Sequence, residues 1–255
     1  MNKKIFCLVS VVFTLLTACS SSSVEDLDGK DESNEPAPKE TFSLFSINTE
    51  YESNMDDLVN LIGNVNSDIV AIQKANKDFS MKTAHSLVEN NQRWQAHFFS
   101  ESYLVPDKGT GFLTKSIINS TEKKVLDEVL TFGIVTYQFG SGEEIWVSTC
   151  ELAGNDREKQ IRQAKALADF ADKVERNIVI AVAVSGNEIG EVLDILDKKY
   201  HRACNPMERN ISSTAKNGYN FILTPLKQNW SVSVDVIESE GTSVCECIKA
   251  EIGLK

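Results

Sequence analysis

Asp68-Ile69-Val70-Ala71-Ile72-Gln73-Lys74 is the stretch from which the fold is read. Four apolar residues without alternation sit between polar ends, the pattern of a short strand covered on both faces. Working outward, residues 41–48 read as a strand. Residues 54–65 read as a helix, with Met55, Leu58, Leu61, Ile62 and Val65 on one face and Asp56 and Asp57 in the first turn, where carboxylates oppose the helix dipole. Residues 81–89 form a second helical pattern, and 94–99, 111–114, 130–139 and 145–149 read as strands. The longest helix is read over 156–175, with Ile161, Ala164, Leu167, Ala168, Ala171 and Val174 as its core stripe. Residues 177–184 form another strand of the buried type, 188–200 a helix, and 219–223, 231–237 and 244–252 closing strands. No internal repeat and no Gly/Pro-rich boundary interrupts this order. It predicts one α/β domain over residues 41–255.

The chain has 255 residues, of which 42% are hydrophobic and 25% charged, which excludes a wholly disordered, collagenous or polytopic membrane protein. Six cysteines are too sparse for a disulfide-held miniprotein. Residues 1–18 have the form of a secretory signal: Lys3 and Lys4, an apolar run from Ile5 to Leu16 too short to span a bilayer, then Leu16-Thr17-Ala18-Cys19. That ending resembles a bacterial lipobox, which implies lipidation of Cys19 and anchoring at the cell envelope, on the outer membrane. Residues 19–40 read as a disordered tether, with Ser20 to Ser23, Pro36, Pro38 and seven acids against two lysines after Cys19. The acids Glu25, Asp26 and Asp28 resemble export signals of Bacteroidota lipoproteins. The formal charge of −11 divides into +2 for 1–18, −5 for the tether and −8 for 41–255. A domain of that charge does not gather a polyanion by long-range attraction, so nucleic acid is not favoured as a partner.

The order of elements and their local wording resemble the endonuclease/exonuclease/phosphatase family over residues 42–253. Phe45-Ser46-Ile47-Asn48 is similar to the opening strand that ends in asparagine, and 68–73 to "DIVALQE". Gly109-Thr110-Gly111-Phe112-Leu113-Thr114-Lys115 resembles "G-x-A-I-L-S-R". Val147-Ser148-Thr149-Cys150, with Gln163 on the helix that follows, resembles "V-x-T-H-L" and its R-x-x-Q helix. Residues 178–185 sit where "V-I-L-x-G-D-F-N" belongs, Tyr219-Asn220-Phe221-Ile222 where "I-D-Y-I" belongs, and Ser243-Val244-Cys245 where "S-D-H" belongs. The resemblance implies a DNase I-like four-layered sandwich, two mixed sheets face to face with helices outside. It also implies Mg²⁺-dependent hydrolysis of phosphoric esters, since a hard cation held by carboxylates neutralises phosphate charge.

The chemical positions are mostly lost. The metal glutamate is Lys74, whose ammonium has donors and no acceptor and repels a cation. Carried over in the same way, the first histidine is Cys150, the Asp and Asn of "G-D-F-N" fall on Ala183 and Ser185, the Asp of "I-D-Y-I" is Asn220, and the final Asp and His are Val244 and Cys245. Only Asn48 keeps its identity. The expectation is a degenerate member of the family, a pseudoenzyme that binds an unknown small-molecule or protein ligand and needs no metal or cofactor. Lys74, Asn48 and Asn220 can all donate hydrogen bonds, which suits a small anion. The alternative is an active phosphodiester or phosphomonoester hydrolase with a relocated metal site, and only then is Mg²⁺ expected. The resemblance further places Cys150 and Cys245 across the vacated cleft, where a disulfide would join them, leaving Cys204 and Cys247 as a second pair; four buried free thiols are the other reading. His85, His97 and His201 fall in no catalytic motif.

Overall fold

Ile69–Asn76 forms strand β2, buried from Ile69 to Gln73. It runs parallel to β1, Glu40–Asn48, with Leu44 opposite Ile69 and Asn48 opposite Gln73. Between them lies helix α1, Met55–Val65. The Asn54 side chain accepts from the Asp56 N–H at 3.1 Å to start it, and Asn66 ends it in the left-handed region. The computed structural model describes residues 40–51, 54–89, 94–115, 118–153, 156–184, 186, 189–203, 219–237 and 247–255. The signal segment, Cys19 and nearly all of the tether lie outside the described residues, as do Ser185, Cys204, Val244 and Cys245.

Sheet A is completed by β3 (Gln95–Ser102), β4 (Val105–Thr114), β11 (Trp230–Ile237) and β12 (Cys247–Leu254), in the order β11-β12-β1-β2-β4-β3. Sheet B comprises β5 (Ser120–Leu126), β6 (Leu130–Gln138), β7 (Glu144–Leu152), β8 (Ile178–Val184), β9 (Tyr200–Arg202) and β10 (Tyr219–Pro225), in the order β5-β6-β7-β8-β10-β9. Each sheet has one parallel pair at its centre, β1/β2 or β7/β8, flanked by antiparallel strands. The sheets face each other through β2 against β7, β1 against β10 and β3 against β6. Phe42 packs on Tyr137 and Phe139 with ring centroids 5.1 and 6.0 Å apart, and the Phe99 ring lies over Gly133. Helices α1 and α2 (Lys77–Glu89) cover the outer face of sheet A, where Phe45, Ile47, Val70 and Ile72 meet Leu58, Ile62, Ala84 and Leu87. Helices α3 (Arg157–Lys173) and α4 (Gly190–Leu196) belong with sheet B, Phe170 lying 5.2 Å from Phe132.

Several boundaries differ from the sequence expectation for local reasons. Strand β2 runs three residues past Gln73 because a bulge at Lys74 lets it resume pairing at Ala75. Helix α2 starts at Lys77 because the Asn76 side chain accepts from the Asp78 N–H at 3.1 Å. Helix α4 stops at Leu196: Tyr200 turns inward, donates to the Leu167 carbonyl at 2.6 Å and begins the edge strand β9. Strand β5 has no hydrophobic signature because it is an exposed edge carrying Glu122, Lys123 and Lys124.

Candidate functional site

The site lies where the ends of the two parallel pairs meet across the gap between the sheets. Strand alternation settles what points into it. On β1, Ser46 and Asn48 face the gap, and on β2 Gln73 does. The Gln73 amide Nε2 donates to Ser46 Oγ at 3.1 Å and crosses to Thr149 Oγ1 of β7 at 2.8 Å. Thr149 thus fixes the face of β7, and Glu151, two residues on, faces the gap with it. Ala183 stands beside Glu151 in the parallel register, and Asn220 opposite Ala183. Asn48, Lys74, Ala183 and Asn220 thus lie at the same end of the two sheets. Ser185, Val244 and Cys245 fall outside the described residues.

Cys150 is a correction. Alternation puts its side chain on the outer face of β7, among the residues covered by α3 and near Tyr200, where it is fully buried with a free thiol. Burial pushes that thiol far above the usual range, and the neighbouring Glu151 carboxylate adds to it. The bridge from Cys150 across the cleft to Cys245 is not formed, because Cys150 points away from sheet A. Cys247 is buried on the outer side of sheet A, and Cys204 lies outside the described residues. The side chain that reaches the site from this part of β7 is Glu151, one residue further along.

Lys74 occupies the centre. Its Nζ lies 2.5 Å from Glu50 Oε2 and 3.1 Å from Glu151 Oε1, and the side chains of Lys74, Glu50 and Glu151 are 17%, 29% and 16% exposed. Burial alone would lower the ammonium's pKa, but the hydrogen bonds and charges of Glu50 and Glu151 outweigh it and hold the pKa above the ordinary lysine value. Asn48 serves this arrangement: its Oδ1 accepts from the Glu50 N–H at 3.2 Å and its Nδ2 donates to Glu50 Oε1 at 3.1 Å. Thr49 Oγ1 donates to the Lys74 carbonyl at 2.8 Å, and the Tyr51 N–H donates to the same carbonyl at 3.0 Å. Glu50, Tyr51 and Lys74 all have positive φ, between 47° and 64°, a region that disfavours side chains and is held by these bonds. Tyr51 borders the cleft. Burial, then the charges of Glu101, Glu151 and Glu50 and a hydrogen bond with Glu101, raise its phenol far above the usual range.

The Mg²⁺ implied by the resemblance does not fit these residues. Its expected carboxylate position holds an ammonium that already engages two nearby acids. Among the described residues, no group of three or more His, Cys, Asp or Glu side chains is placed to hold a metal ion. The histidines are elsewhere: His85 on α2 and His201 on β9 are exposed, and His97 on β3 lies beside Thr114.

Neither a family model nor a curated protein matches the sequence. Solved structures do match. An endonuclease/exonuclease/phosphatase from Bacteroides vulgatus superposes with a TM-score of 0.68 at 12% identity, covering 85% of this chain and 100% of that one. TDP2 of D. rerio, solved with a single-strand DNA product, gives 0.59 at 14% identity over 84% and 99% of the two chains. The human Nocturnin catalytic domain, solved with a bound sulfate anion, gives 0.55 at 12% identity over 84% and 95%. These likenesses show the fold: two six-stranded mixed sheets face to face, the DNase I-like α/β sandwich of endonuclease/exonuclease/phosphatase proteins.

Proposed function

We propose that this chain is a lipid-anchored binding module of the bacterial cell envelope, held on the outer membrane through Cys19, in which a phosphoesterase fold is kept and hydrolysis is lost. The observation that carries the proposal is the Lys74 ammonium held between Glu50 and Glu151. A cation that is part of the chain fills the electrostatic role of a bound metal. It offers no open coordination position and lowers no water pKa, the two things metal-assisted hydrolysis needs. Asn48, the one retained identity, spends its amide on the Glu50 loop. Ala183 and Asn220 supply no carboxylate beside them.

The second reading is an active phosphoesterase. It draws on the fold shared with TDP2 and the phosphatase-family structures, and on two acids, Glu50 and Glu151, beside Asn48. Turnover of phosphodiester and phosphomonoester substrates by the purified protein in Mg²⁺ or Mn²⁺ separates the two. The binding-module reading expects none above a Lys74→Met control. Metal-dependent turnover that disappears in Asn48→Ala establishes the hydrolase instead.

A further inference from the structure

Beside the Lys74 cluster the two sheets diverge into a cleft of about 600 Å³, a size suited to a small organic ligand. Among the described residues its wall carries Glu101, Glu128, Glu151 and Asp156 against Lys74 and Lys159, and the Lys108 ammonium lies 4.8 Å over the ring of Tyr51 beside it. Lys74 is already engaged by Glu50 and Glu151, so it contributes no net attraction for an anion. Glu101 and Glu128 make no ion pair among the described residues. They lie on one side of the cleft, where Thr131 Oγ1 donates to the Glu101 carbonyl at 3.3 Å and ties the end of β3 to the start of β6. Thr110 adds an independent sign. It is 7% exposed, shares the inward face of β4 with Phe112 and lines the cleft, and its hydroxyl has no hydrogen-bond partner. A buried hydroxyl without a partner is costly unless something in the cleft meets it. Tyr51 and Val105 give the same cleft an aromatic and an apolar wall.

We infer that this cleft binds an organic cation: a ligand carrying an ammonium or guanidinium group on an apolar or aromatic body. The cationic group sits toward Glu101 and Glu128, the body lies against Tyr51 and Val105, and a polar atom of the ligand meets the Thr110 hydroxyl. Charge-assisted hydrogen bonds to carboxylates select the cation, and the net negative wall repels phosphate and carboxylate ligands. This reverses the anion preference expected from Lys74, Asn48 and Asn220, because the structure spends the Lys74 charge internally. The inference rests on the binding-module reading and gives it a ligand class.

The test compares three aromatic probes of differing charge by calorimetry on the full-length protein: the cation tyramine, its neutral counterpart 4-hydroxyphenylethanol, and the anion phenyl phosphate. Tyramine is expected to bind saturably and at least tenfold more tightly than either of the others, with affinity falling as salt rises. Glu128→Gln, a change in an exposed turn that leaves the core untouched, is expected to weaken tyramine about threefold. Glu101→Gln is expected to weaken it about tenfold. Phenyl phosphate binding as tightly as tyramine, no saturable tyramine binding at 10 mM, or affinity unmoved by both substitutions overturns the inference. Metal-dependent hydrolysis of phenyl phosphate is a separate outcome that overturns the binding-module reading itself.

Discussion

Replacing Lys74 with methionine keeps most of the volume of the side chain and removes its charge. Two carboxylates that shared one nitrogen, at 2.5 and 3.1 Å, are then left facing each other with no intervening cation. Their oxygens lie within about 6 Å, so at an effective dielectric of about 20 the repulsion is about 3 kcal/mol. An exposed pair contributes about 0–1 kcal/mol and a broken buried one costs about 3–5. This cluster is partly shielded, so the expected loss is about 2–3 kcal/mol, read by urea denaturation at pH 7.5. The double variant Lys74→Met/Glu151→Gln removes the repulsion and should be more stable than Lys74→Met alone. In the wild type the pH dependence of this cluster lies at the alkaline end. The folded Lys74 pKa lies above its ordinary value of 10.5, so its stabilisation is fully present below about pH 10. It is lost as pH rises through the raised folded value. A loss under about 0.5 kcal/mol, or a double variant no more stable than the single, refutes the picture of an ammonium that balances two acids.

Two glycines should respond in opposite directions. A Cβ at Gly109 would lie 2.0 Å from the Phe99 carbonyl oxygen, so Gly109→Ala should separate β3 from β4 and cost about 2–3 kcal/mol or more, whereas Gly63→Ala inside α1 meets nothing nearer than 4.0 Å and should stabilise by about 0.5–1 kcal/mol; thermal melts read both. Gln73→Met deletes the amide that links Ser46 to Thr149 across the sheets and should cost about 2 kcal/mol in chemical denaturation, with the fold retained by circular dichroism. Cys19→Ala should abolish labelling by radioactive palmitate and release the protein from the membrane pellet, since acyl chains supply the anchoring energy at about 0.8 kcal/mol per methylene.

Much of the layering was legible in the sequence because it follows from continuous apolar runs. Ile69 to Ile72 and Ile178 to Val184 are buried on both faces and form the hearts of the two sheets. The helix at 55–65 is marked by its apolar stripe and its early acids. The site was harder to read. A strand inverts every side chain when its register moves by one residue, and that single step separates the expected Cys150 from the Glu151 that faces the cleft. Glu50 and Tyr51 had no signal at all. They lie on a loop at positive φ without glycine, held there by Thr49 and by the Lys74 carbonyl, contacts between segments some 24 residues apart. The acidity of the cleft likewise belongs to the topology, since Glu101, Glu128 and Glu151 come from three separated segments.

Manganese binding measured by electron paramagnetic resonance tests the central claim most directly. Wild-type protein is expected to leave Mn²⁺ in its free hexaaquo form at submillimolar concentration. Lys74→Glu, which sets a third carboxylate beside Glu50 and Glu151, is expected to take up the ion. Stoichiometric Mn²⁺ binding by the wild type, lost on Glu151→Gln, would contradict the account and return the site to metal chemistry.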